Sequence, residues 1–421
     1  MTILLSQVKI ADTRSPFNGL VKDILIKDQQ IASISDKFDG SADQIIDFKN
    51  TIVSPGFIDP FVHFCDPGME HRETLNTGSN AALQGGFTTV FVVPNTSPVI
   101  DNKSQVTYVQ QHSQDLPIHI LPIGALSKKI EGKDLAEMID MNVNGAVAFS
   151  DGLNPVQSTL LFLKALQYVK AFDGVVIQMP IDNSWGSLGL MNEGILSTKL
   201  GLPGIPAIAE ELIIARDIEL LKYTNSQLHI TGVSTARGIE FIRNAKKEGY
   251  KITCSVTPYH LFFTEDDLYN YNTLLKVSPP LRTKLDQVAL FKAIEDGTID
   301  CISSHHMPQD WDAKTIEFEN AKAGIASIET SFATIQHLFP NLSENRIVEL
   351  FSINARNIFK LENSGFIEGA IADFTFYNKK ETTLLSQKNS KSKSANSPFW
   401  DIPLKGKIKG TFSKGKLHLT S

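Results

Sequence analysis

The segment QLHITGVSTARGIEFIRNAKKEGYKITCSVTP (227–258) decides the fold, because it contains one complete strand–helix–strand unit. Its two ends are short apolar runs rich in β-branched residues, typical of strands buried on both faces of a parallel sheet. Between the runs, Ile239 and Ile242 share one helical face. Thr235 is the expected N-cap of this helix and Gly249 its expected stop. The segment therefore predicts a helix that crosses over between two parallel strands.

Similar apolar runs recur from residue 54 onward and alternate with longer amphipathic segments. Eight strand–helix units over about 300 residues fit a (β/α)8 TIM barrel. A doubly wound sheet is the alternative, but no Gly-x-Gly-x-x-Gly turn follows a strand, which argues against a dinucleotide site. The eight runs are GFIDPFVHF (56–64), FTTVFVVPN (87–95), IHILPIGAL (118–126), GAVAFSD (145–151), GVVIQMP (174–180), QLHITGVS (227–234), KITCSVTP (251–258) and CISSHH (301–306).

Both ends of the chain instead contain short strands separated by turn signals. We expect residues 1–53 and 365–421 to join into a small β-sandwich, and residues 54–364 to form the barrel. The polar tract ETTLLSQKNSKSKSANSP (381–398) is predicted to be a mobile loop. The amphipathic segment SENRIVELFSINARNIFKL (343–361), with Ser343 as N-cap, is predicted to be a barrel helix.

Composition excludes several classes of protein. The 421 residues contain 40 Lys and Arg against 46 Asp and Glu, a net charge of −6, which disfavours binding to nucleic acid or to an anionic membrane. The three cysteines are too few and too scattered for a disulfide framework, which suggests a reducing compartment. The sequence contains no recognisable signal peptide and no apolar run of membrane-spanning length, so a cytoplasmic protein is expected.

In a barrel of this kind the chemistry lies at the carboxyl ends of the strands. The side chains that follow the eight runs are therefore the candidates for a functional site. They are Phe61, His63, Cys65, Asn95, Asp151, Met179, Gly232, Tyr259, His260, His305 and His306.

Long stretches of the chain resemble dihydroorotases, a family of the amidohydrolase superfamily. The resemblance runs nearly from end to end and implies a metal-dependent barrel with a β-sandwich built from both termini. The stretches that carry it are 54–101, NEGILSTKLGLPGIPAIAEE (192–211), HITGVSTARGIEFI (229–242), VTPYHL (256–261), SPPLR (278–282) and SANSPF (394–399).

The resemblance also implies six metal-directed positions, and only His63 and Asp151 carry a family-like residue. Three positions where the family has His are occupied by residues that cannot bind zinc: Phe61, Met179 and Gly232. His305 stands where the family has the Asp that binds metal and acts as general base. We therefore expect no cofactor. The alternative is one zinc ion held by His63, Asp151 and His305.

Substrate recognition is altered as well. Cys65 replaces the Arg that grips the substrate carboxylate in the family, and a thiol cannot donate the two parallel hydrogen bonds of a guanidinium. Asn95 is retained, whereas Ser278 replaces an Asn and Gln309 replaces a His. Gly324, in ENAKAGIASIET (319–330), is the expected position of close approach in the substrate loop.

Each candidate also has a structural interpretation. His63 would be a histidine bonded to main-chain carbonyl in a filled barrel, and Asp151 would cap the turn at Gly152. Cys65 would be an inert buried thiol, since no base is identified beside it. Met179 would be core filler, and Tyr259 and His260 would be satisfied loop residues.

Two functions from different classes follow. The first is a non-catalytic homologue that acts as a structural partner of aspartate transcarbamoylase in pyrimidine biosynthesis, as in family members that have lost their metal ligands, within a homo- or hetero-oligomer. The second is a working cyclic amidohydrolase with one unusual zinc site and His305 as base. The first is favoured because the losses coincide while GGFTTV, LGLPGIP and PPLR remain in place.

Overall fold

Apolar runs become strands and amphipathic segments become helices in the residues that the computed structural model describes, which are 2–186, 189–362 and 365–420. The strands are β1 (Thr2–Ile10), β2 (Val21–Lys27), β3 (Gln30–Ser35), β4 (Gln44–Asp47), β5 (Ile52–Pro55), β6 (Phe57–Val62), β7 (Phe87–Val92), β8 (His119–Gly124), β9 (Ala148–Phe149), β10 (Val176–Gln178), β11 (Met191–Asn192), β12 (Gly204–Ile205), β13 (Leu228–Ile230), β14 (Ile252–Val256), β15 (Cys301–Ile302), β16 (Phe374–Leu384), β17 (Pro403–Ser413) and β18 (Lys416–Leu419). The helices are α1 (Leu75–Gln84), α2 (Lys103–Ser113), α3 (Met138–Val143), α4 (Thr159–Val169), α5 (Asn183–Gly186), α6 (Ile195–Leu200), α7 (Ile208–Thr224), α8 (Ala236–Lys247), α9 (Pro258–Phe262), α10 (Lys284–Glu295), α11 (Ser331–Leu338), α12 (Glu344–Val348) and α13 (Asn354–Ile358).

Eight parallel strands of the described chain form the predicted barrel, in the order β6-β7-β8-β9-β10-β13-β14-β15. Each predicted apolar run contains one of these strands, so the (β/α)8 prediction is confirmed and the doubly wound alternative is wrong. The strand–helix–strand unit of 227–258 becomes β13, α8 and β14. Thr235 caps α8 by accepting a hydrogen bond from the Gly238 main-chain N–H.

Asp59 closes the barrel between its first and last strands. Its carboxylate is fully buried and accepts hydrogen bonds from the Ser303 hydroxyl (3.0 Å) and the Ser304 main-chain N–H (3.0 Å). In addition, the main-chain N–H of His63 donates to the His306 carbonyl (2.9 Å). Burial raises the pKa of Asp59 to about 6, against the opposing effect of these hydrogen bonds.

The two ends of the chain join into one eight-stranded sheet, as predicted from their strand patterns. β5 connects them, because it pairs in parallel with β1 and antiparallel with β16. Apolar residues from both ends pack into a shared core in which the rings of Phe48 and Phe376 stack at 4.4 Å. In the described part of the chain, no helix combines the length and the apolar character needed to cross a bilayer.

Two predicted segments differ in the structure. Residues 343–361 form α12 and α13, capped by Ser343, but a π-helical turn at Glu349–Ile353 separates them. The tract 381–398 is not a free loop: its first residues complete β16, and residues 390–396, here called the serine–lysine strap, are fixed by hydrogen bonds. The polar composition that suggested mobility supplies the donors that hold the strap.

Buried carboxylates at the carboxyl end of the barrel hold the strap. Glu73 accepts hydrogen bonds from the Ser392 hydroxyl (2.5 Å) and the Lys393 N–H (3.1 Å). Glu329 accepts from the Ser390 hydroxyl (2.6 Å) and the Lys391 N–H (2.8 Å). The strap therefore lies across the end of the barrel where the candidate site residues converge.

Arg282, the last residue of SPPLR, ties the loops on this side of the barrel together. It is 3% exposed and donates to the Asn192 side-chain carbonyl (2.8 Å), the Ile205 carbonyl (2.9 Å) and the Ser234 hydroxyl (3.1 Å). Its guanidinium lies 3.8 Å from the buried Glu210 carboxylate. Removing one partner of a buried pair leaves the other charge without compensation.

We predict that Arg282→Met lowers the free energy of unfolding by about 3–5 kcal/mol, because it leaves Glu210 buried and unpaired. Arg237→Met is the matched control, since Arg237 pairs with Glu211 at 3.4 Å but its side chain is 62% exposed, and its loss should cost less than about 1 kcal/mol. Urea denaturation of both variants measures the difference. Equal effects of the two substitutions would contradict the structural role of Arg282.

Candidate functional site

The six metal-directed positions converge at the carboxyl ends of the barrel strands, here called the mouth. Phe61 and His63 lie at the end of β6, and the other four follow β9, β10, β13 and β15. Solvent is excluded from the side chains there: Phe61 is 1% exposed, His63 3%, Asp151 1%, Met179 2% and His305 1%. Phe61 belongs to the apolar cluster that fills the barrel interior.

Both ring nitrogens of His63 are used by the main chain. Nδ1 accepts a hydrogen bond from the Cys65 N–H (2.9 Å), so the ring proton lies on Nε2 and is donated to the Asn95 carbonyl (3.0 Å). Burial, aided by the positive charge of Arg72, lowers the pKa of His63 to about 3. The imidazole is therefore neutral and has no free lone pair for a metal.

Asp151 is also engaged by its neighbours. One carboxylate oxygen accepts the Ser127 N–H (2.8 Å) and the other accepts the Ser127 hydroxyl (2.5 Å). Burial raises the pKa of Asp151 to about 6 in spite of these bonds. The side chain thus anchors the loop after β8, rather than the turn at Gly152 that its structural interpretation predicted.

His305 lies at the position where the family resemblance implies an Asp that binds metal. Its ring lies 4.6 Å from the Phe61 ring, and its Nε2 is 2.7 Å from the Thr231 hydroxyl. Nδ1 is buried and has no hydrogen-bond partner among the described residues. An unpartnered lone pair costs less than an unpartnered N–H, so the ring proton is assigned to Nε2. Burial lowers the pKa of His305 to about 3.

The changes at positions 232 and 305 are sterically coupled. A Cβ added to Gly232 would lie 2.6 Å from His305 Cε1, closer than two carbon atoms can approach. Gly232 also has a φ of +71°, which a side chain would strain. A side chain at 232 would therefore collide with the His305 ring, so a substitution at Gly232 requires His305 to move or to be replaced.

The residues that the resemblance assigns to recognition of a carboxylate are instead buried or bonded to neighbouring loops. Burial raises the pKa of the fully buried Cys65 thiol to about 12, so it is inert. Asn95 uses its side-chain carbonyl to accept the Leu153 N–H (2.9 Å) and its amide to donate to the Asp151 carbonyl (3.2 Å). Ser278 precedes a cis proline and is half-buried.

Gln309 and Gly324 meet at the strap. The Gln309 amide donates to the Ala323 carbonyl (2.7 Å), and a Cβ on Gly324 would lie 2.8 Å from the Met307 carbonyl oxygen. Asn396 joins both loops, since its amide donates to the carbonyls of Met307 (3.0 Å) and Gly324 (3.1 Å) and its oxygen accepts the Gln309 N–H (3.1 Å). The close approach predicted at Gly324 is therefore made to the loop that contains Met307.

Sequence reasoning missed the group around Glu73. His306 Nδ1 accepts the Ser327 N–H (3.2 Å), and its Nε2 lies 3.4 Å from the Glu73 carboxylate. Burial alone would raise the pKa of Glu73, but the nearby His306 ring and the hydroxyls of Ser392 and Thr77 hold it below its usual value. The sequence feature that could have indicated this group is the SANSPF motif, because it overlaps the strap that bonds Glu73. Of the other histidines, His260 bonds the Thr257 hydroxyl and the Pro279 carbonyl, as a satisfied loop residue would.

The mouth residues do not fit zinc. A phenyl ring, a glycine and a thioether are not zinc ligands in proteins, the one lone pair of the neutral His63 ring accepts the Cys65 N–H, and both Asp151 oxygens are held by Ser127. No cluster of three or more His, Cys, Asp or Glu with metal-site geometry occurs in the described ranges. Among the described mouth imidazoles, His305 has an unpartnered ring nitrogen, and a catalytic zinc site needs three protein ligands.

Comparisons with known proteins place the chain in a family. A family model described as Dihydro-orotase-like matches residues 50–237. The dihydroorotase of Syntrophus aciditrophicus is 37% identical and aligns over 99% of each chain, and that of Acetivibrio thermocellus is 39% identical over 97% of this chain and 96% of its own. Among solved structures, the L-hydantoinase (dihydropyrimidinase) of Arthrobacter aurescens matches with a TM-score of 0.87 over 99% of this chain and 95% of its own, at 23% identity. That likeness concerns the fold alone, whereas the full-length sequence matches establish that this chain belongs to the dihydroorotase family.

Proposed function

We propose that this chain is a non-catalytic dihydroorotase homologue that serves pyrimidine biosynthesis as a structural partner of aspartate transcarbamoylase. The observation that carries the proposal is the state of His63, the one family-like histidine of the metal positions. Its two nitrogens are spent on the Cys65 N–H and the Asn95 carbonyl. A residue in that state holds the loops of the mouth and does not bind a cation.

Opening a cyclic amide requires a group that polarises the carbonyl and a base that activates water. The described mouth residues offer neither. Asp151 is fixed to Ser127, and the low pKa of His305 leaves it a poor acceptor of protons at neutral pH. The alternative of a hydrolase with one zinc ion would require His63 to give up a main-chain hydrogen bond and the Asp151 carboxylate to turn away from Ser127.

The retained motifs support a structural role. Arg282 of SPPLR donates to residues of β11 and β12 and to the loop before α8, and Asn396 of SANSPF joins the loops that contain Met307 and Gly324. These contacts fix the loops at the carboxyl end of the barrel around the candidate site. A fixed framework of this kind suits a scaffold, and we propose that this chain is one subunit of an oligomer.

We predict that the purified protein contains less than one zinc per chain and does not hydrolyse dihydroorotate above background. Elemental analysis and a hydrolysis assay, with the Syntrophus aciditrophicus dihydroorotase as positive control, measure both. Stoichiometric zinc together with turnover that His63→Ala abolishes would instead establish the single-metal hydrolase.

We predict that the free energy of unfolding falls at acidic pH, because the buried His305 ring stays neutral in the folded protein but takes up a proton in the unfolded chain. Its pKa is about 3 in the folded chain and about 6.5 when unfolded, so the unfolded state takes up a proton first as the pH falls below about 6.5. His305→Asn should therefore reduce the loss of unfolding free energy between pH 7 and pH 5 by about 2 kcal/mol. His71→Asn, which removes a histidine whose side chain is 62% exposed, is the control and should change this loss little. An unchanged pH dependence in His305→Asn would mean that His305 titrates near neutrality, as a base would.

We expect the protein to co-elute with the aspartate transcarbamoylase of its own organism from a sizing column at micromolar concentrations. A scaffold must bind its partner at cellular concentrations, so the complex should survive this dilution. Mixing with an unrelated protein of similar size is the control. Separate elution of the two proteins would count directly against the scaffold role, whatever the outcome of the zinc and activity assays.

A further inference from the structure

A cavity of about 640 Å³ lies between the sheet built from both ends of the chain, here called the terminal sheet, and the first turn of α12. β1, β16 and the turn before β5 supply most of its lining, and α12 contributes from the barrel. The lining shares no residue with the described mouth, the recognition positions or the strap. Its charged side chains are Lys9, Lys49, Glu344, Lys379, Lys380 and Glu381.

Positive charge exceeds negative charge in this lining, although the whole chain has a net charge of −6. The two carboxylates are already paired with lysines. Glu344 lies 2.8 Å from the Lys9 ammonium. Glu381 lies 2.8 Å from the ammonium of Lys409, which is outside the lining. The carboxylates of the lining are therefore engaged by other cations.

Three further lysines of the lining have no such partner. Lys49, Lys379 and Lys380 lie beyond ion-pair distance of every carboxylate in the part of the chain that the structure describes. Like charges gathered around one space repel each other, so an anion bound among them would lower their electrostatic energy.

Lys379 is the most enclosed of the three lysines. It is half-buried, whereas the other two are exposed. Its ammonium donates to the Leu342 carbonyl (2.6 Å), which leaves two of its three N–H groups for a ligand. Burial lowers the pKa of Lys379, and the opposing charge of Glu344 does not restore it. An anion in the cavity would supply the missing counter-charge.

A bulge in β16 positions two of these lysines. The register of β16 with β17 shifts between Asn378 and Thr382, a stretch that includes Lys379 and Lys380. Bulges re-aim side chains and are frequent next to functional sites. The Asn378 side-chain oxygen accepts the Lys380 N–H (2.8 Å), and its amide donates to the Asn50 carbonyl (3.1 Å). The bulge is therefore fixed to the turn before β5, so the lysines are presented in a preorganised arrangement.

Two other lining residues have left-handed backbone. Gln7, at the bulge of β1, has a φ of +56°, and Asn50 has a φ of +64°. Asn tolerates this conformation, but Gln does so only where its surroundings hold it, here through the hydrogen bond from the Gln7 N–H to the Asp23 carboxylate (2.8 Å). Backbone strain of this kind is concentrated at ligand sites.

The lining fits a phosphate group attached to a small organic body. A phosphate monoester has nearly two negative charges and three acceptor oxygens, which matches three ammonium groups better than a single carboxylate does. Val21 and Ile52 add an apolar surface beside the charges. The volume of the cavity is much larger than a phosphate ion and is typical of sites for small organic ligands.

We propose that this cavity binds a small phosphomonoester, whose phosphate pairs with Lys49, Lys379 and Lys380 and whose organic body lies against Val21 and Ile52. Because the lining comes from the terminal sheet and from a barrel helix, the ligand bridges the two parts of the fold. The site requires no chemistry at the mouth.

Isothermal titration calorimetry tests the proposal with three phosphomonoesters that have different bodies: ribose 5-phosphate, phenyl phosphate and adenosine 5′-monophosphate. At least one of them should bind. Its dephosphorylated counterpart should bind about tenfold more weakly or worse, because it lacks the charge, and so should inorganic phosphate, because it lacks the body. Binding should also weaken as sodium chloride is added, since salt screens exposed charges.

Lys379→Met and Lys380→Met each remove one ammonium, so each should weaken binding of the phosphomonoester at least about tenfold. Lys380 is exposed, so its variant tests the site even if Lys379→Met destabilises the chain. Lys27→Met is the matched control, because Lys27 is exposed in β2 of the same sheet but outside the lining. It should bind as the parent chain does.

Four results would overturn the proposal. They are no binding of any of the three phosphomonoesters, inorganic phosphate that binds as tightly as the best of them, binding that both cavity variants leave intact, and an equal loss of binding in Lys27→Met. These measurements involve neither zinc, turnover nor aspartate transcarbamoylase, so their failure is distinguishable from a failure of the proposed function.

Discussion

The state of the mouth is set by two hydrogen bonds from one imidazole to the main chain. His63 accepts the Cys65 N–H and donates to the Asn95 carbonyl, and so joins the loops after β6 and β7. A metal ligand needs a free lone pair, and in this geometry the Cys65 N–H occupies the one lone pair of the neutral His63 ring. The polar groups of the other mouth residues are likewise hydrogen-bonded to neighbouring residues or shielded from water by apolar side chains.

Around this filled mouth the framework is intact, and the same physical rule explains why. Asp59, Glu73, Glu210 and Glu329 are buried carboxylates, and each has several N–H, hydroxyl or cationic partners. Without these partners each carboxylate would be a buried charge left unsatisfied, at a cost of several kcal/mol.

Much of this could be predicted from the sequence. The barrel followed from the spacing of apolar runs, since strands buried on both faces and their crossover helices leave a strong pattern. The strand-end positions indicated which residues converge at the mouth, whereas the assignment of changed metal positions came from the family resemblance and stays a prediction. The strap did not, because a tract of serine and lysine has the composition of a loop, and only the fold places its hydroxyls beside Glu73 and Glu329. The coupling of Gly232 with His305 was equally hidden, because it joins residues 73 positions apart through one close contact.

The central claim is that His63 is a structural residue with no lone pair to give. Ring ¹⁵N chemical shifts of selectively labelled histidine, recorded before and after addition of zinc and assigned with His63→Ala, test it most directly. The account predicts that His63 stays in the tautomer protonated on Nε2 and that zinc leaves its shifts unchanged. A zinc-induced shift of both His63 and His305 into the range of metal-bound nitrogen would contradict it.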